Sequence, residues 1–340
     1  MKFISYFTLS FITTAVVFYA QVFLLFPVPV AADYWVREML VIKRDLSKSL
    51  GDRRKIVVAA GSNVLFNIDT NQLTEALGLP AINFGLMAGL PLDTILRETD
   101  AIVRSGDVLV LALEQDYYCR EKNPGFNEWQ IRNAIAWDHN YWRNMGFLQQ
   151  LRALTDLNPL FPIELIQAKI GLLRNDPILT PRLLALDDGE VLNKYYHPSG
   201  PPDNLYSIYN IDHHGNIKNS NETSFTGTAS FRADLPIPIC PQAIASLGSF
   251  IARLKSKNVL VFFINGPFMD LPDLDKQKLA QADEDFIRQI APLAPILDNR
   301  QEILVPRDSF LNSEMHLNIK GRDHRTQILI LRLRDQLKLY

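Results

Sequence analysis

Residues 56–67 have the sequence IVVAAGSNVLFN, and this stretch decides the fold class of the chain. The apolar run of residues 56–60 is short and continuous, which is typical of a parallel strand buried on both faces. Gly61 closes the run, and Ser62 follows at the turn into the next segment. We therefore expect an α/β domain whose first strand ends beside a serine.

Apolar strands and amphipathic helices alternate along most of the remaining chain. This alternation implies a parallel sheet with right-handed crossovers. It predicts a three-layer α/β/α domain over residues 55–340, interrupted by an insertion at about 118–240 that we expect beside the carboxyl edge of the sheet. The predicted strands are 56–60, 81–84, 108–113, 259–264 and a short 296–297, and the predicted helices are 71–77, 91–104, 243–255, 273–290 and 321–337.

Composition excludes several classes of protein. The 340 residues contain 35 Lys and Arg against 37 Asp and Glu, a net charge of −2 that removes the main electrostatic argument for nucleic-acid binding. Only one stretch is apolar enough to cross a bilayer, which excludes a many-span transporter. The turn after the first strand has neither a Gly-x-Gly-x-x-Gly motif nor a P-loop lysine. We expect no cofactor and no metal, since Asp212, His213 and His214 lack further ligands at a suitable spacing.

The N-terminal segment is predicted to anchor the chain in a membrane. No charged residue occurs from Phe3 to Ala32, and this apolar run is longer than that of a signal peptide. Residues 1–32 are therefore expected to form an uncleaved transmembrane anchor, and residues 33–54 a juxtamembrane helix. A cleaved secretory signal is the alternative. Basic residues after the helix favour a cytoplasmic domain under the positive-inside rule, against the location that the chemistry below requires.

Polar residues collect where the predicted strands end, which is where open parallel sheets bind ligands. Gly61-Ser62-Asn63 follows the first strand, Asn83-Phe84-Gly85 the second and Glu114-Gln115-Asp116 the third. A fourth stretch, residues 312–322 with the sequence NSEMHLNIKGR, leads into the last helix.

The order and spacing of these stretches resemble the SGNH/GDSL hydrolase superfamily, in particular its membrane-anchored bacterial branch linked to cell-envelope polysaccharides. The resemblance implies that Ser62 is the nucleophile and that His316 is its general base. It implies an oxyanion site formed by the backbone N–H groups of Ser62 and Gly85 and the side chain of Gln115.

The same resemblance implies a function and a location. The expected activity is that of an esterase, deacetylase or O-acetyltransferase acting on an acylated polysaccharide or glycan. The expected location is the bacterial inner membrane, with a single span and the main domain in the periplasm or outside the cell.

The sequence departs from the family at the triad acid. The acid expected three or four residues before His316 is replaced by Ser313 or Asn312, and the nearest carboxylate is Glu314. Asn312 and Glu314 are therefore the candidate partners of the histidine. Gln115 likewise replaces the family's third-block asparagine. These departures leave an alternative open, in which a weak or inactive protein serves as an assembly component of polysaccharide biosynthesis or export.

Two further features permit more than one interpretation. Cys119 and Cys240 flank the insertion and are either a disulfide or two free cysteines. The aromatic residues of the insertion form either core or a sugar-stacking surface; they are Trp129, Trp137, Tyr141 and Trp142. The sequence does make one sharp geometric prediction, that the Ser62 hydroxyl lies within about 3–4 Å of a His316 ring nitrogen.

Overall fold

The computed structural model describes residues 2–25, 34–120, 128–136, 138–174, 210–220 and 225–338. The chain forms two compact units, one of residues 1–38 and 123–191 and one of residues 39–122 and 192–340. The helices are α1 (Lys2–Leu25), α2 (Tyr34–Ser49), α3 (Ser62–Asn67), α4 (Thr70–Leu77), α5 (Leu92–Ile102), α6 (Glu128–Ala136), α7 (His139–Asn144), α8 (Phe147–Thr155), α9 (Phe161–Leu173), α10 (Pro241–Ser256), α11 (Lys276–Ile290) and α12 (Ile319–Leu337). The strands are β1 (Ile56–Ala60), β2 (Ala81–Gly85), β3 (Val108–Leu111), β4 (Leu260–Phe263), β5 (Phe268–Met269), β6 (Leu304–Val305), β7 (Phe310–Ser313) and β8 (His316–Leu317).

A parallel sheet of four strands, in the order β2-β1-β3-β4, forms the centre of the second unit. All residues of β1, β2 and β3 are buried, as their continuous apolar sequences predict. The four predicted strands are confirmed, although β3 ends at Leu111 rather than at Leu113. The short strand predicted at 296–297 is a single parallel bridge between Ile296 and Phe263. The molecule is thus a mixed α/β protein with a parallel sheet.

Helices of the second unit begin and end at recognisable caps. Asp69, Asp275 and Asn318 accept backbone N–H groups at the starts of α4, α11 and α12. Gly78 ends α4 in the left-handed conformation, with φ of 65°. Helix α5 packs on β1 and α10, whereas α12 packs on α3 and α4. The predicted helices are confirmed, with ends shifted by a few residues according to these caps.

Part of the insertion covers the outer edge of β2. The Asn83 N–H donates to the His214 carbonyl at 2.8 Å, and the His214 Nδ1 lies 3.0 Å from the Ala81 carbonyl. Gly215 adopts φ of +82° here, and a Cβ at this position would lie 2.5 Å from the Asn83 oxygen. The edge is thereby closed to another strand. Within the described part of the chain, no group of three or more His, Cys, Asp or Glu could hold a metal.

Cys119 and Cys240 form a disulfide that joins the two ends of the insertion. The Cys240 N–H also donates to the Tyr118 carbonyl at 2.8 Å. Of the two alternatives that the sequence left open, the structure has the disulfide.

The first unit consists of α1 and the helices α6 to α9. Val22 of α1 is buried in one apolar core with Trp142 and Phe161, and Tyr141 packs against this core. Trp142 is therefore a core residue; Trp137 and the Trp129 side chain lie outside the described residues. Residues Phe3–Val22 of α1 are long and apolar enough to cross a membrane.

A buried lysine ties α2 to the carboxyl end of β2. Lys43 Nζ donates to the Asn83 carbonyl at 2.8 Å and to the Gly85 carbonyl at 2.7 Å, and lies 3.2 Å from Asn83 Oδ1. Burial lowers the pKa of Lys43 well below its usual value. A helix is present within the predicted range 33–54 as α2, which ends at Ser49, and its residue Lys43 supports the strand that ends at Gly85.

We expect Lys43→Met to lower the free energy of unfolding by about 2–4 kcal/mol, because two buried carbonyls lose their donor while the apolar stem is kept. Lys48→Met, on the exposed side of the same helix, is the matched control and should change stability by about 0.5 kcal/mol or less. Denaturant unfolding of the detergent-solubilised chain measures both, and equal effects of the two substitutions would contradict the role of Lys43.

Candidate active site

Ser62, His316 and Asn312 form a chain of hydrogen-bonding contacts. Ser62 is the first residue of α3, directly after β1, and its Oγ lies 2.8 Å from His316 Nε2. The other ring nitrogen, Nδ1, lies 2.7 Å from Asn312 Oδ1. The predicted contact between Ser62 and His316 is confirmed, across 254 residues of sequence.

A tight antiparallel hairpin holds the histidine. Asn312 lies on β7 and His316 on β8, with Ser313 paired to His316, so residues 314 and 315 form the tip. The Glu314 carboxylate turns away and accepts hydrogen bonds from the Ser230 N–H and Oγ, both at 2.5 Å, and from the Phe231 N–H at 3.1 Å. Of the two candidate partners of the histidine, Asn312 contacts the ring and Glu314 does not, because the chain reverses at Glu314.

Helix α3 supports the histidine through two further side chains. Phe66 lies one turn after Ser62 on the same helix face, and its ring stacks on His316 with the centroids 4.1 Å apart. Asn67 donates to the Met315 carbonyl at 2.8 Å and accepts from the Leu317 N–H at 2.7 Å. Sequence analysis missed both residues, although the i, i+4 spacing of Ser62 and Phe66 was a signal for the first.

His316 is arranged as a neutral base. Burial lowers its pKa to about 3, so the ring is uncharged at neutral pH. Since Asn312 presents its oxygen to Nδ1, the ring proton lies on Nδ1 and the Nε2 lone pair faces the Ser62 hydroxyl. Among the described carboxylates, none hydrogen-bonds to this ring. The site thus has a serine hydroxyl, a neutral imidazole and an amide in contact in that order.

A buried carboxylate fixes the turn that presents Ser62. Glu114 Oε2 accepts the Gly61 N–H at 3.2 Å, and Oε1 accepts the Asn63 N–H at 3.1 Å. A Cβ at Gly61 would lie 2.4 Å from Oε1 and 2.8 Å from the Ala88 Cα, and because the second contact is with backbone this position requires glycine. Burial raises the pKa of Glu114 to about 7, against the lowering effect of the hydrogen bonds. Sequence analysis placed Glu114 at the sheet edge but assigned it no role.

The backbone N–H of Ser62 is available to bind an oxyanion. Glu114 accepts the N–H groups of the residues on either side, Gly61 and Asn63, but not that of Ser62. This N–H makes no hydrogen bond to any described residue. Gln115 follows β3 with its amide buried, and both polar atoms of that amide lack a partner in the described part of the chain. A Cβ at Gly266, just after β4, would lie 3.5 Å from the Gln115 Nε2. Gln115 is thus a free polar group at the carboxyl edge of the sheet.

Gly85 has a different role from the one predicted. Its N–H donates to Asn83 Oδ1 at 3.0 Å and is not free to bind an oxyanion. A Cβ at this position would lie 2.2 Å from the Leu65 backbone nitrogen. Glycine is required here because the backbone of α3 packs directly against β2. Gly85 therefore positions the helix that begins with Ser62.

The residues after the histidine form the start of α12. Asn318 Oδ1 accepts the Gly321 N–H at 3.2 Å, and a Cβ at Gly321 would lie 2.6 Å from the Ser309 carbonyl oxygen. Arg322 donates to the Ile217 carbonyl at 2.7 Å. Asn318 therefore caps α12, and Gly321 lies too close to the Ser309 carbonyl for a side chain. Arg322 binds residue 217 of the insertion.

No protein-family model matches the sequence, and a search of curated proteins finds none that is similar. The resemblance to SGNH/GDSL hydrolases therefore rests on the motifs and on the contacts described above.

Glu114 should make stability depend on pH in a defined direction. Its pKa rises from the model-compound value of 4.5 to about 7 on folding, so the folded chain holds a proton that the unfolded chain releases in this window. The free energy of unfolding should therefore fall as pH rises from about 4.5 through 7. The contribution of Glu114 is about 3 kcal/mol, at 1.36 kcal/mol for each pKa unit.

The comparison of wild type with Glu114→Gln isolates this effect, since all other titrating groups are shared. The stability difference between the two proteins should shift by about 3 kcal/mol in favour of the variant between pH 5 and pH 8. Denaturant unfolding at several pH values measures it. A difference that stays constant over this range would show that Glu114 does not titrate as described.

Proposed function

We propose that this chain is a membrane-anchored serine acyl-transfer protein of the SGNH/GDSL type. The observation that supports it best is the contact of Ser62 Oγ with His316 Nε2, at the carboxyl edge of a parallel sheet where such sheets bind ligands. The family's three-layer arrangement is part of this proposal and agrees with helices that pack on the sheet and on one another.

The proposed reaction uses Ser62 as nucleophile. Its Oγ attacks the carbonyl carbon of an acyl ester while His316 Nε2 takes the hydroxyl proton. The Ser62 N–H and the Gln115 side chain stabilise the resulting oxyanion. When the intermediate collapses, the leaving sugar oxygen takes the proton back from His316 and the acyl group stays on Ser62. Water or a second hydroxyl then accepts the acyl group by the same steps in reverse.

The substrate class and the location follow from the resemblance and from two structural features. We propose an acylated cell-envelope polysaccharide or glycan as substrate, with α1 in the bacterial inner membrane and the main domain in the periplasm or outside. The disulfide between Cys119 and Cys240 supports an oxidising compartment. Helix α1 supports a single membrane span.

The amide of Asn312 favours a second candidate function. An amide fixes the histidine tautomer but does not stabilise the imidazolium by charge, and loss of the acid costs a serine protease about 10⁴ in rate. The alternative is therefore a protein with little or no turnover that takes part in the assembly of polysaccharide synthesis or export machinery.

Covalent labelling distinguishes the two candidates. We expect a fluorophosphonate to label Ser62 and the labelling to be lost in Ser62→Ala and in His316→Ala, because the base is required for attack. Mass spectrometry of the labelled peptide locates the adduct. Labelling of wild type should decline only near pH 3, where His316 becomes protonated. Absence of labelling at every pH would favour the assembly component.

Asn312→Asp should restore the missing acid. The new carboxylate would face Nδ1 of His316, raise the pKa of that histidine and speed the reaction of Ser62, by up to about 10⁴-fold. The rate of fluorophosphonate labelling measures the gain in reactivity. The pH below which labelling declines measures the histidine pKa and should rise above 3. Asn258→Asp makes the same change of amide to carboxylate at the exposed turn before β4, at the opposite edge of the sheet from Ser62, and should leave the labelling rate and its pH profile unchanged. A slower Asn312→Asp variant would exclude a triad-like role for this position.

A further inference from the structure

Helix α9 of the first unit presents an apolar stripe to the outside. Its buried face includes Phe161, Leu165 and Ala168, which belong to the core of this unit. On the opposite face, apolar residues recur at intervals of three and four and are 37–75% exposed. We call this face the α9 stripe: Leu160, Ile163, Ile166, Ile170 and Leu173.

The α9 stripe lies on a helix that packs against the apolar helix α1. Helices α1 and α9 pack against each other, and Phe18, Tyr19, Val22 and Leu25 of α1 contribute to the shared core. These residues lie in the last two turns of α1, at the C-terminal end of the segment that is apolar enough to cross a membrane. A bilayer that surrounds α1 therefore reaches α9 at the depth of these turns.

The length of the stripe and the charges around it indicate how α9 would contact the lipid. The stripe extends over ~20 Å, at 1.5 Å per residue, which is too short to cross the ~30 Å hydrocarbon layer. Residues 139–174 carry four basic and two acidic side chains, and one of the acids, Glu164, is bound by Arg132 at 2.7 Å. Lys169 and Arg174 are exposed and adjoin stripe residues in the chain, which suits anionic headgroups.

We propose that the α9 stripe lies in the headgroup and upper acyl region of the bilayer beside α1, so that the first unit contacts the membrane through two helices. This inference does not depend on the reactivity of Ser62. It commits to lipid as the occupant, because α9 packs on a helix whose own exposed surface is apolar over 20 residues.

Spin labels on the full-length chain test the proposal in vesicles of phosphatidylcholine and phosphatidylglycerol. Ile166→Cys and Ile170→Cys place a label on the stripe, and Leu9→Cys on α1 is the lipid reference. Glu284→Cys, on the exposed face of α11, is the water reference. Because Cys119 and Cys240 are joined, they do not react with the label. Collisions with oxygen and with a water-soluble nickel chelate are measured by electron paramagnetic resonance.

We expect the stripe labels to collide with nickel less often than the Glu284 label and more often than the Leu9 label, because they lie in the headgroup and upper acyl region, while they keep oxygen collisions. Nickel collisions as frequent as at Glu284 would overturn the proposal. Spin–spin broadening at Ile166 that disappears on dilution with unlabelled chain would also overturn it, since a second copy would then cover the stripe. Retention of the disulfide and of the circular dichroism spectrum shows that each variant is folded.

Discussion

The position of the first turn of α3 is the constraint on which the candidate site depends. Two glycines determine this position. The absence of a side chain at Gly61 leaves room for the Glu114 carboxylate, and its absence at Gly85 leaves room for the α3 backbone. Once α3 is held in this way, Ser62 lies at the sheet edge and Phe66 and Asn67 face the hairpin of His316. The buried Lys43 in turn fixes the strand end against which α3 packs.

The four strands of the sheet and the position of Ser62 at its carboxyl edge were predictable from the sequence for a physical reason, whereas the pairing of Ser62 with His316 was implied by the family resemblance. Parallel strands buried on both faces leave continuous apolar runs, and their carboxyl ends meet at one edge. Residues far apart in the chain but adjacent to such ends are therefore expected to be neighbours.

The sequence did not show which group would accept a given N–H, or where the chain would reverse its direction. Gly85 follows a strand as expected, but a side chain two residues earlier captures its N–H. Glu314 is near His316 in sequence, yet the hairpin tip directs its carboxylate to residues 230 and 231. Glu114 lies at the same sheet edge as Gly61, as expected, but the sequence did not show that its carboxylate would accept the Gly61 and Asn63 N–H groups.

The histidine combines firm positioning with weak electrostatic support. Its ring is stacked, its hairpin is clamped by Asn67, and its tautomer is set by an amide. Burial opposes the cation that the proposed proton transfer would form on the ring, and Asn312 supplies no charge to offset this. The position of the His316 ring and its affinity for a proton therefore depend on different residues.

The disulfide has a consequence for the integrity of the site. Ser62 precedes Cys119 in the chain and His316 follows Cys240, so the insertion separates the serine from the histidine. A proteolytic nick anywhere between residues 119 and 240 would leave the two fragments joined covalently through the cysteines. The two halves of the site would then remain parts of one molecule, and they would separate only after reduction.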